Sequence, residues 1–389
     1  MSTTLPPADW TRRDDLARLV AALGAGNARY VGGAVRDTLL AIPVKDVDIA
    51  TPLEPQAVMQ RLKDAGIQAV PTGIEHGTVT AVLPDGPVEI TTLRHDVSTD
   101  GRRATVAFAS DWQDDAARRD FTINALYADP ASGEIYDWFG GLDDLAARRV
   151  RFIGDPHQRI REDHLRILRY FRFQARFGSI PADAPSESAC AELAATLKGL
   201  SRERVGMEMM NLLSLPNPAP TVARMAELGV LEVVLPEADV AALAALVDQE
   251  AYQNVAPDAL RRLAELLPAD VQLAEAVASR FRLSGAQKKR LALAAARDGA
   301  AAEARPLAYR LGIDAALDRL LIAGADTASL NGWDIPQFPL KGGEIVARGI
   351  KAGPEVARVL RQVEAGWMAA GFADSVIPAL LEAELREQA

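Results

Sequence analysis

The sequence predicts an α+β protein of several domains, with a mixed head over residues 1–140 and an all-α remainder. Three observations carry this. Short apolar runs with β-like alternation, bounded by glycine and proline turns, are confined to the first part of the chain. From Leu142 these runs vanish, and helical patterns separated by Pro and Gly follow to the end. The length, 389 residues, suits two or three domains.

In chain order, Ala28–Val31 is a short apolar strand running into Gly32-Gly33, and Ala34–Leu40 starts a helix. Val44–Ala50 alternates as a strand does, and Gln56–Ala65 places Val58, Met59 and Leu62 at helical spacing. Val79–Leu83 and Val88–Leu93 are strands joined by the turn Pro84-Asp85-Gly86-Pro87. The polar segment His95–Gln113 is expected as a mobile loop with one short strand, Thr105–Phe108. Ala116–Leu126 reads as a helix and Glu134–Trp138 as a short strand. Helical breaks fall near Ser179–Ser186, Leu215–Pro220, Val255–Pro257 and Asn331–Gly343. The expected division is a head 1–140, a neck 141–200, a body 201–300 and a tail 301–389.

Composition removes several classes. Hydrophobic residues at 49% and charged residues at 25% are ordinary for a folded globular chain. Cys190 is the only cysteine, so no disulfide partner exists within the chain and a reducing cytoplasm is the expected compartment. No run reaches the roughly 18 apolar residues of a membrane span. Met1–Trp10 lacks the pattern of a signal peptide. No histidine follows His164, which excludes a histidine-rich metal phosphohydrolase from the C-terminal half. A net charge of −10 argues by itself against a nucleic-acid partner. However, 36 of the 43 basic residues are Arg, from GC-rich codon usage, local Arg clusters, or both.

Four motifs could carry chemistry. Gly32-Gly33-Ala34-Val35-Arg36-Asp37 follows a strand. Paired glycines allow a close backbone approach to phosphate, the helix start adds amide donors, and Arg36 adds a forked one. It is neither a Walker loop nor a GxGxxG fingerprint, and alone it also reads as a strand–turn–helix corner. Asp46-Val47-Asp48 puts two carboxylates on one side of a strand, which suits a divalent cation or a solvated edge. Glu89 could add a third from a neighbouring strand. Arg118-Arg119-Asp120-Phe121-Thr122-Ile123-Asn124 suggests phosphate binding, with Asp120 orienting an Arg or capping a helix. It also reads as a surface charge cluster. Along Arg161–Phe173, Asp163, Arg166, Arg169 and Arg172 step by three on a helix and drift about 60° per step. Asp163 and Arg166 can share one target, such as a base edge, while Arg172 must serve another purpose. The plain alternative is an amphipathic helix with an i, i+3 ion pair.

In this order and spacing the four motifs resemble the class II nucleotidyltransferases, the family of tRNA CCA-adding enzymes and bacterial poly(A) polymerases. The likeness is dense over residues 28–175 and looser around Leu340–Pro354. It implies a polymerase-β-like head followed by all-α neck, body and tail, with CTP, ATP and the tRNA 3′ end as partners and Mg²⁺ as cofactor. It implies that Asp46 and Asp48 bind Mg²⁺, that Gly33 and Arg36 contact the incoming nucleotide, and that Arg119 contacts its phosphates or sugar. Asp163 and Arg166 would read the base, with Arg169 and Arg172 nearby. The reaction would be template-independent addition of C, C and A with release of pyrophosphate. The segment His95–Ser110 lies where the family keeps a loop that affects switching from C to A. Arg202, Arg204, Arg280, Arg282 and Lys288-Lys289-Arg290 are candidates for a tRNA-facing surface. A poly(A) polymerase and a CC-only or A-only enzyme share these motifs, although the acidic end Leu380–Ala389 leans toward tRNA. A non-catalytic RNA-binding module would not need both aspartates. A small-molecule nucleotidyltransferase would need neither EDHLRILR nor the long helical remainder.

Overall fold

A computed structural model of the chain describes residues 3–100, 103–108, 111–297 and 303–386. The chain divides into two compact units, Met1–Pro236 and Glu237–Ala389.

The first unit opens with helix α1 (Asp14–Leu23), which buries Leu16, Leu19 and Leu23 at helical spacing. Strand β1 (Arg29–Val31), helix α2 (Gly33–Leu39), strand β2 (Val47–Thr51) and helix α3 (Pro55–Asp64) follow. Next come strands β3 (Gln68–Gly73), β4 (Thr78–Val82), β5 (Val88–Thr92), β6 (Arg94–Asp100) and β7 (Arg103–Phe108). Helix α4 (Trp112–Ala117) leads to short strands β8 (Tyr127–Ala128) and β9 (Ile135–Tyr136). Seven strands form one sheet in the order β3-β4-β5-β2-β1-β8-β9. Strands β2 and β5 pair in parallel, and every other pair in that sheet is antiparallel. The remainder of this unit is helical: α5 (Gly141–Ala146), α6 (Pro156–Glu162), α7 (Arg166–Phe177), α8 (Ala184–Glu192), α9 (Arg202–Leu213), α10 (Ala219–Glu227) and α11 (Val230–Val234).

Four local expectations are corrected. Strand β2 begins at Val47, so Asp46 precedes it instead of lying inside it. Segment 95–113 is not a loop with one strand: β6 and β7 form an antiparallel hairpin. Thr105–Phe108 falls within β7, whereas the polar sequence of β6 carries no apolar alternation to reveal it. Ala116–Leu126 is not one helix. Helix α4 ends at Ala117, Phe121 bridges to Phe152, and Thr122–Asn124 is a single 3₁₀ turn. Phe121, Ile123, Ala125 and Leu126 are all buried, and a continuous apolar run does not distinguish helix from extended chain. Strand β3 was not expected at all, because it is an edge strand with Val70 exposed and Pro71 at its centre.

The second unit contains α12 (Leu243–Tyr252), α13 (Ala259–Leu266), α14 (Val271–Arg280), α15 (Gly285–Ala295), α16 (Ala304–Leu311), α17 (Ile313–Ile322), α18 (Gly342–Ala347), α19 (Pro354–Ala369) and α20 (Ile377–Arg386). Trp367 and Val363 centre one apolar cluster. A buried charge network joins its helices. Asp318 accepts from Arg261 at 3.1 Å and Arg290 at 2.7 Å, and Glu250 accepts from Arg261 at 2.7 Å and Arg262 at 2.9 Å. Each buried charge there is matched, as desolvated ions require. None of the described helices is long and apolar enough to cross a membrane.

Candidate active site

The site is built where β1 turns into α2. Gly32 adopts φ +69° and ψ −121°, which side chains other than glycine adopt only under strain. Arg119 Nη1 stands 3.3 Å from where a Cβ on Gly32 would lie. Gly32→Ala is therefore expected to cost about 1–3 kcal/mol in stability. It should also displace Arg119 and weaken nucleotide binding; equal binding by the variant would show the close approach to be idle.

Carboxylate charge gathers on Asp48, and Arg119, which approaches this turn, acts on it. The parallel register sets Asp48 of β2 directly across from Glu89 of β5, and the charge of Asp46 also acts on Asp48. Burial, then repulsion from Glu89 and Asp46, pushes the Asp48 carboxyl up to about 6, with Arg119 alone opposing it. Such an excess of negative charge on hard oxygen donors fits Mg²⁺. Among the described residues no group of three or more His, Cys, Asp or Glu is placed to hold a metal ion. Mg²⁺ in general needs only one or two carboxylates when substrate phosphates complete its shell. Because binding needs the deprotonated carboxylate, Mg²⁺ affinity is expected to fall as pH drops through about 6. Titrating Mg²⁺ into the chain at pH 5 and pH 7.5 checks this, and equal affinities would contradict it.

Arg119 is held in place by a second set of groups. Its Nε donates to the Tyr127 hydroxyl at 2.9 Å and its Nη2 to Asp115 at 3.2 Å, while Tyr127 also donates to Asp115 at 2.5 Å. Burial works against ionised Asp115, but Arg119 and the hydrogen bond from Tyr127 outweigh it and keep the carboxyl below its ordinary value. The backbone N–H of Arg94, at the base of the β6–β7 hairpin, also donates to Asp115 at 3.2 Å.

The segment expected to read the base differs from its expected form. Arg161–Phe173 is not one helix: α6 stops at Glu162, Asp163 is extended at φ −150°, and α7 starts at Arg166. Asp163 itself causes part of the break, since its Oδ1 accepts from the Leu165 backbone N–H at 3.1 Å. Its Oδ2 accepts from Arg204 of α9 at 2.7 Å. Arg166 donates to Glu162 at 2.7 Å and to the Arg159 carbonyl at 2.8 Å. Its Nη2 reaches the Arg118 carbonyl at 3.4 Å, and Arg159 holds the Arg119 carbonyl at 2.8 Å. The start of α7 thus hangs on the backbone of the Arg118-Arg119 motif.

Of the remaining expected residues, Gly33 is the first residue of α2, with Arg36 Nη2 at 3.7 Å from its Cβ position. Arg36 is buried and already occupied, donating to Asp37 at 2.7 Å and to the Asn124 side chain, with Phe177 at 4.1 Å beneath its guanidinium. Asn124 in turn donates to Asp120 at 2.9 Å, and Asp120 accepts from Arg169 Nε at 2.9 Å. Arg172 is turned away onto Glu208 of α9 at 2.6 Å, the separate purpose its helical position requires. Sequence reasoning missed Asp115, Tyr127, Asn124, Glu162 and Glu208. Asn124 and Glu162 lay in recognised motifs without being singled out; the others announce themselves through partners that the fold brings in. Of the arginines expected to face tRNA, Arg204, Arg280 and Arg290 are ion-paired with Asp163, Glu237 and Asp318.

A strand–Gly-Gly turn–helix beside facing carboxylates, with arginines gathered around it, defines a nucleotidyltransferase head. Residues 28–151 match the family model described as the poly A polymerase head domain. Residues 183–242 match the model for a probable RNA- and SrmB-binding site of polymerase A. The chain is 34% identical to the mouse mitochondrial CCA tRNA nucleotidyltransferase 1 over 368 residues, covering 88% of this chain and 83% of the mouse protein. It is 39% identical to the CCA-adding enzyme of Enterococcus faecalis over 215 residues, 55% of this chain and 51% of that one. The fold matches the Bacillus stearothermophilus CCA-adding enzyme in complex with CTP, with TM-score 0.73, 24% identity and coverage of 96% and 98% of the two chains. It also matches the Thermotoga maritima CCA-adding enzyme complexed with tRNA, with TM-score 0.71, 20% identity and coverage of 96% and 95%. At those identities the structural likeness speaks for the fold alone. The chain belongs to the family of tRNA CCA-adding nucleotidyltransferases and poly(A) polymerases.

Proposed function

We propose that the chain adds C, C and A to the 3′ end of tRNA from CTP and ATP without a nucleic-acid template. One juxtaposition carries the reading: Arg119 acts on Asp48, beside Glu89 and Asp46, and approaches Gly32, while Arg166 reaches the adjoining Arg118 carbonyl. The RNA 3′-oxygen bonds the α-phosphorus of the nucleotide, and the bridging oxygen leaves with pyrophosphate. Asp46 and Asp48 hold Mg²⁺, which when bound supplies charge neutralisation at the phosphates. The Gly32-Gly33 turn admits the triphosphate close to the backbone, and Arg119 takes its charge. Arg36 acts by fixing α2 against Asn124 and Phe177. Asp163 accepts the exocyclic amino group of cytosine or adenine, and Arg166 donates to the adjacent ring acceptor. Arg169 and Arg172 hold α7 against Asp120 and Glu208. A lone buried cysteine fits work in a reducing compartment such as the cytoplasm.

The test uses a tRNA transcript ending at the discriminator base, Mg²⁺, and CTP and ATP separately and together, with the 3′ ends sequenced. CC with CTP alone and a single CCA with both are expected. Long A tracts on any RNA would instead establish a poly(A) polymerase. Arrest at CC with both nucleotides present would mean a partial enzyme.

A further inference from the structure

Helix α9 carries two charged side chains, four residues apart and so on one face, that reach back to the segment assigned above to base reading. Arg204 Nη2 donates to Asp163 Oδ2 at 2.7 Å. Glu208, almost fully buried, accepts from Arg172 Nε at 2.6 Å and lies 3.8 Å from Arg169 Nη1. Both of these charges thus meet their opposites on the proposed reading segment. Arg204 is itself positioned by the helix start, where the Ser201 hydroxyl accepts its backbone N–H at 3.3 Å. The two tethers on Asp163 come from different directions. Oδ1 is fixed by the Leu165 backbone within its own turn, and Oδ2 is fixed by a guanidinium from an element 41 residues away in sequence.

We propose that Arg204 is a specificity-determining positioning residue: it locks the Asp163 carboxylate in the orientation that accepts the amino edge of cytosine or adenine and rejects the carbonyl edge of uracil or guanine. This rests on the reading of Asp163 and Arg166 as the base-contacting pair. An ionised carboxylate only accepts hydrogen bonds. Held still, it faces N4 of cytosine or N6 of adenine as an acceptor. Against O4 of uracil or O6 of guanine it sets acceptor against acceptor. Freed from Arg204, the side chain keeps the Leu165 tether alone and can turn out of the way. Arg166 can then donate to the carbonyl of the wrong base. The loss is therefore one of discrimination before it is one of rate. A bidentate pair on a base edge contributes enough selectivity that its disordering is expected to cost about 10-fold in preference. Arg204 touches neither base nor phosphate in this account; it acts through Asp163.

The experiment measures equilibrium binding of CTP, ATP, UTP and GTP, with Mg²⁺, to the full chain as wild type, R204Q and R204K. Single-turnover incorporation of each nucleotide onto tRNA is measured alongside. R204Q is expected to bind CTP and ATP more weakly while UTP and GTP are little changed, so the preference falls about 10-fold. R204K, which keeps the charge but loses the fork, is expected to fall between, and it carries the test should R204Q prove unstable. In a D163N background, R204Q should change the preference no further. If R204Q lowers the melting temperature but leaves the preference at its wild-type value, Arg204 is structural only and the proposal is overturned. If the wild-type chain itself binds all four nucleotides alike, the base-reading assignment falls, and the role of Arg204 with it.

Discussion

Asp48→Asn is expected to reduce nucleotide incorporation by about a thousandfold or more while making the metal-free protein more stable. On the proposed function, the activity loss follows from removing a carboxylate that would hold Mg²⁺ where transition-state charge is neutralised. The stability gain follows from the position of Asp48. Its folded carboxyl is raised from 3.8 to about 6 by burial and by Glu89, so folding favours its protonated form. For a raised acid, the stabilisation is present at low pH and is lost as pH rises through the folded value. At pH 7 and above, the wild type therefore carries a penalty on the order of 2 kcal/mol that the amide removes. Near pH 4 the two proteins should melt together. Mg²⁺ should reverse the order by binding the folded wild type and raising its melting temperature, with little effect on the variant. A variant that melts below the wild type at neutral pH without metal would contradict the burial of Asp48 and the repulsion from Glu89.

Asp120→Ala carries the second large effect, on stability first. Asp120 accepts from Arg169, from the Asn124 amide and from the Phe121 backbone N–H, and it ties the 3₁₀ turn of the head to α7. Removing it strands the Arg169 guanidinium, whose other acid, Glu208, lies 3.8 Å off and is already taken by Arg172. Breaking such a pair from one side costs about 3–5 kcal/mol when fully buried. With about a third of the Arg169 side chain exposed, about 2–3 kcal/mol is expected. That corresponds to a fall of about 5–10 °C in the melting temperature of this unit. Burial opposes ionised Asp120, but Arg169 and the hydrogen bonds outweigh it and hold the carboxyl below its ordinary value. The stabilisation is therefore full above the ordinary carboxylate range and is lost as pH falls through the lowered value. The gap between wild type and variant should close in acid and stay open in alkali. Thermal melts of both proteins at pH 3 and pH 8 decide the matter, and a gap independent of pH would contradict the ion pair.

What could be seen in advance divides along a physical line. Gly32-Gly33 and Asp46-Val47-Asp48 were legible because a tight turn and same-side carboxylates are local properties, fixed by spacing of one and two residues. The helical breaks were legible because Pro and Gly act locally too. Glu89 could only be suspected, since its place opposite Asp48 depends on the parallel register of two strands separated by α3, β3 and β4. The break at Asp163 was hidden because Arg161–Phe173 keeps helical periodicity through it. The interruption comes from a side chain capturing a nearby backbone N–H and from a partner on α9. The same reason concealed Arg204 and Glu208: each is an ordinary helix residue whose meaning lies in the charge facing it. Arg36 was read by type as a donor to the incoming nucleotide; its packing against Asp37, Asn124 and Phe177 depends on contacts that sequence spacing does not show.

The central claim is that protein side chains, not a template, meet the incoming base. A crystal structure of the chain with CTP and Mg²⁺ tests it most directly. The expected result places the triphosphate between the Gly32-Gly33 turn and Arg119, the metal on Asp46 and Asp48, and the cytosine edge within hydrogen-bonding distance of Asp163 and Arg166. A cytosine bound elsewhere, with Asp163 and Arg166 making no contact to it, would contradict the account.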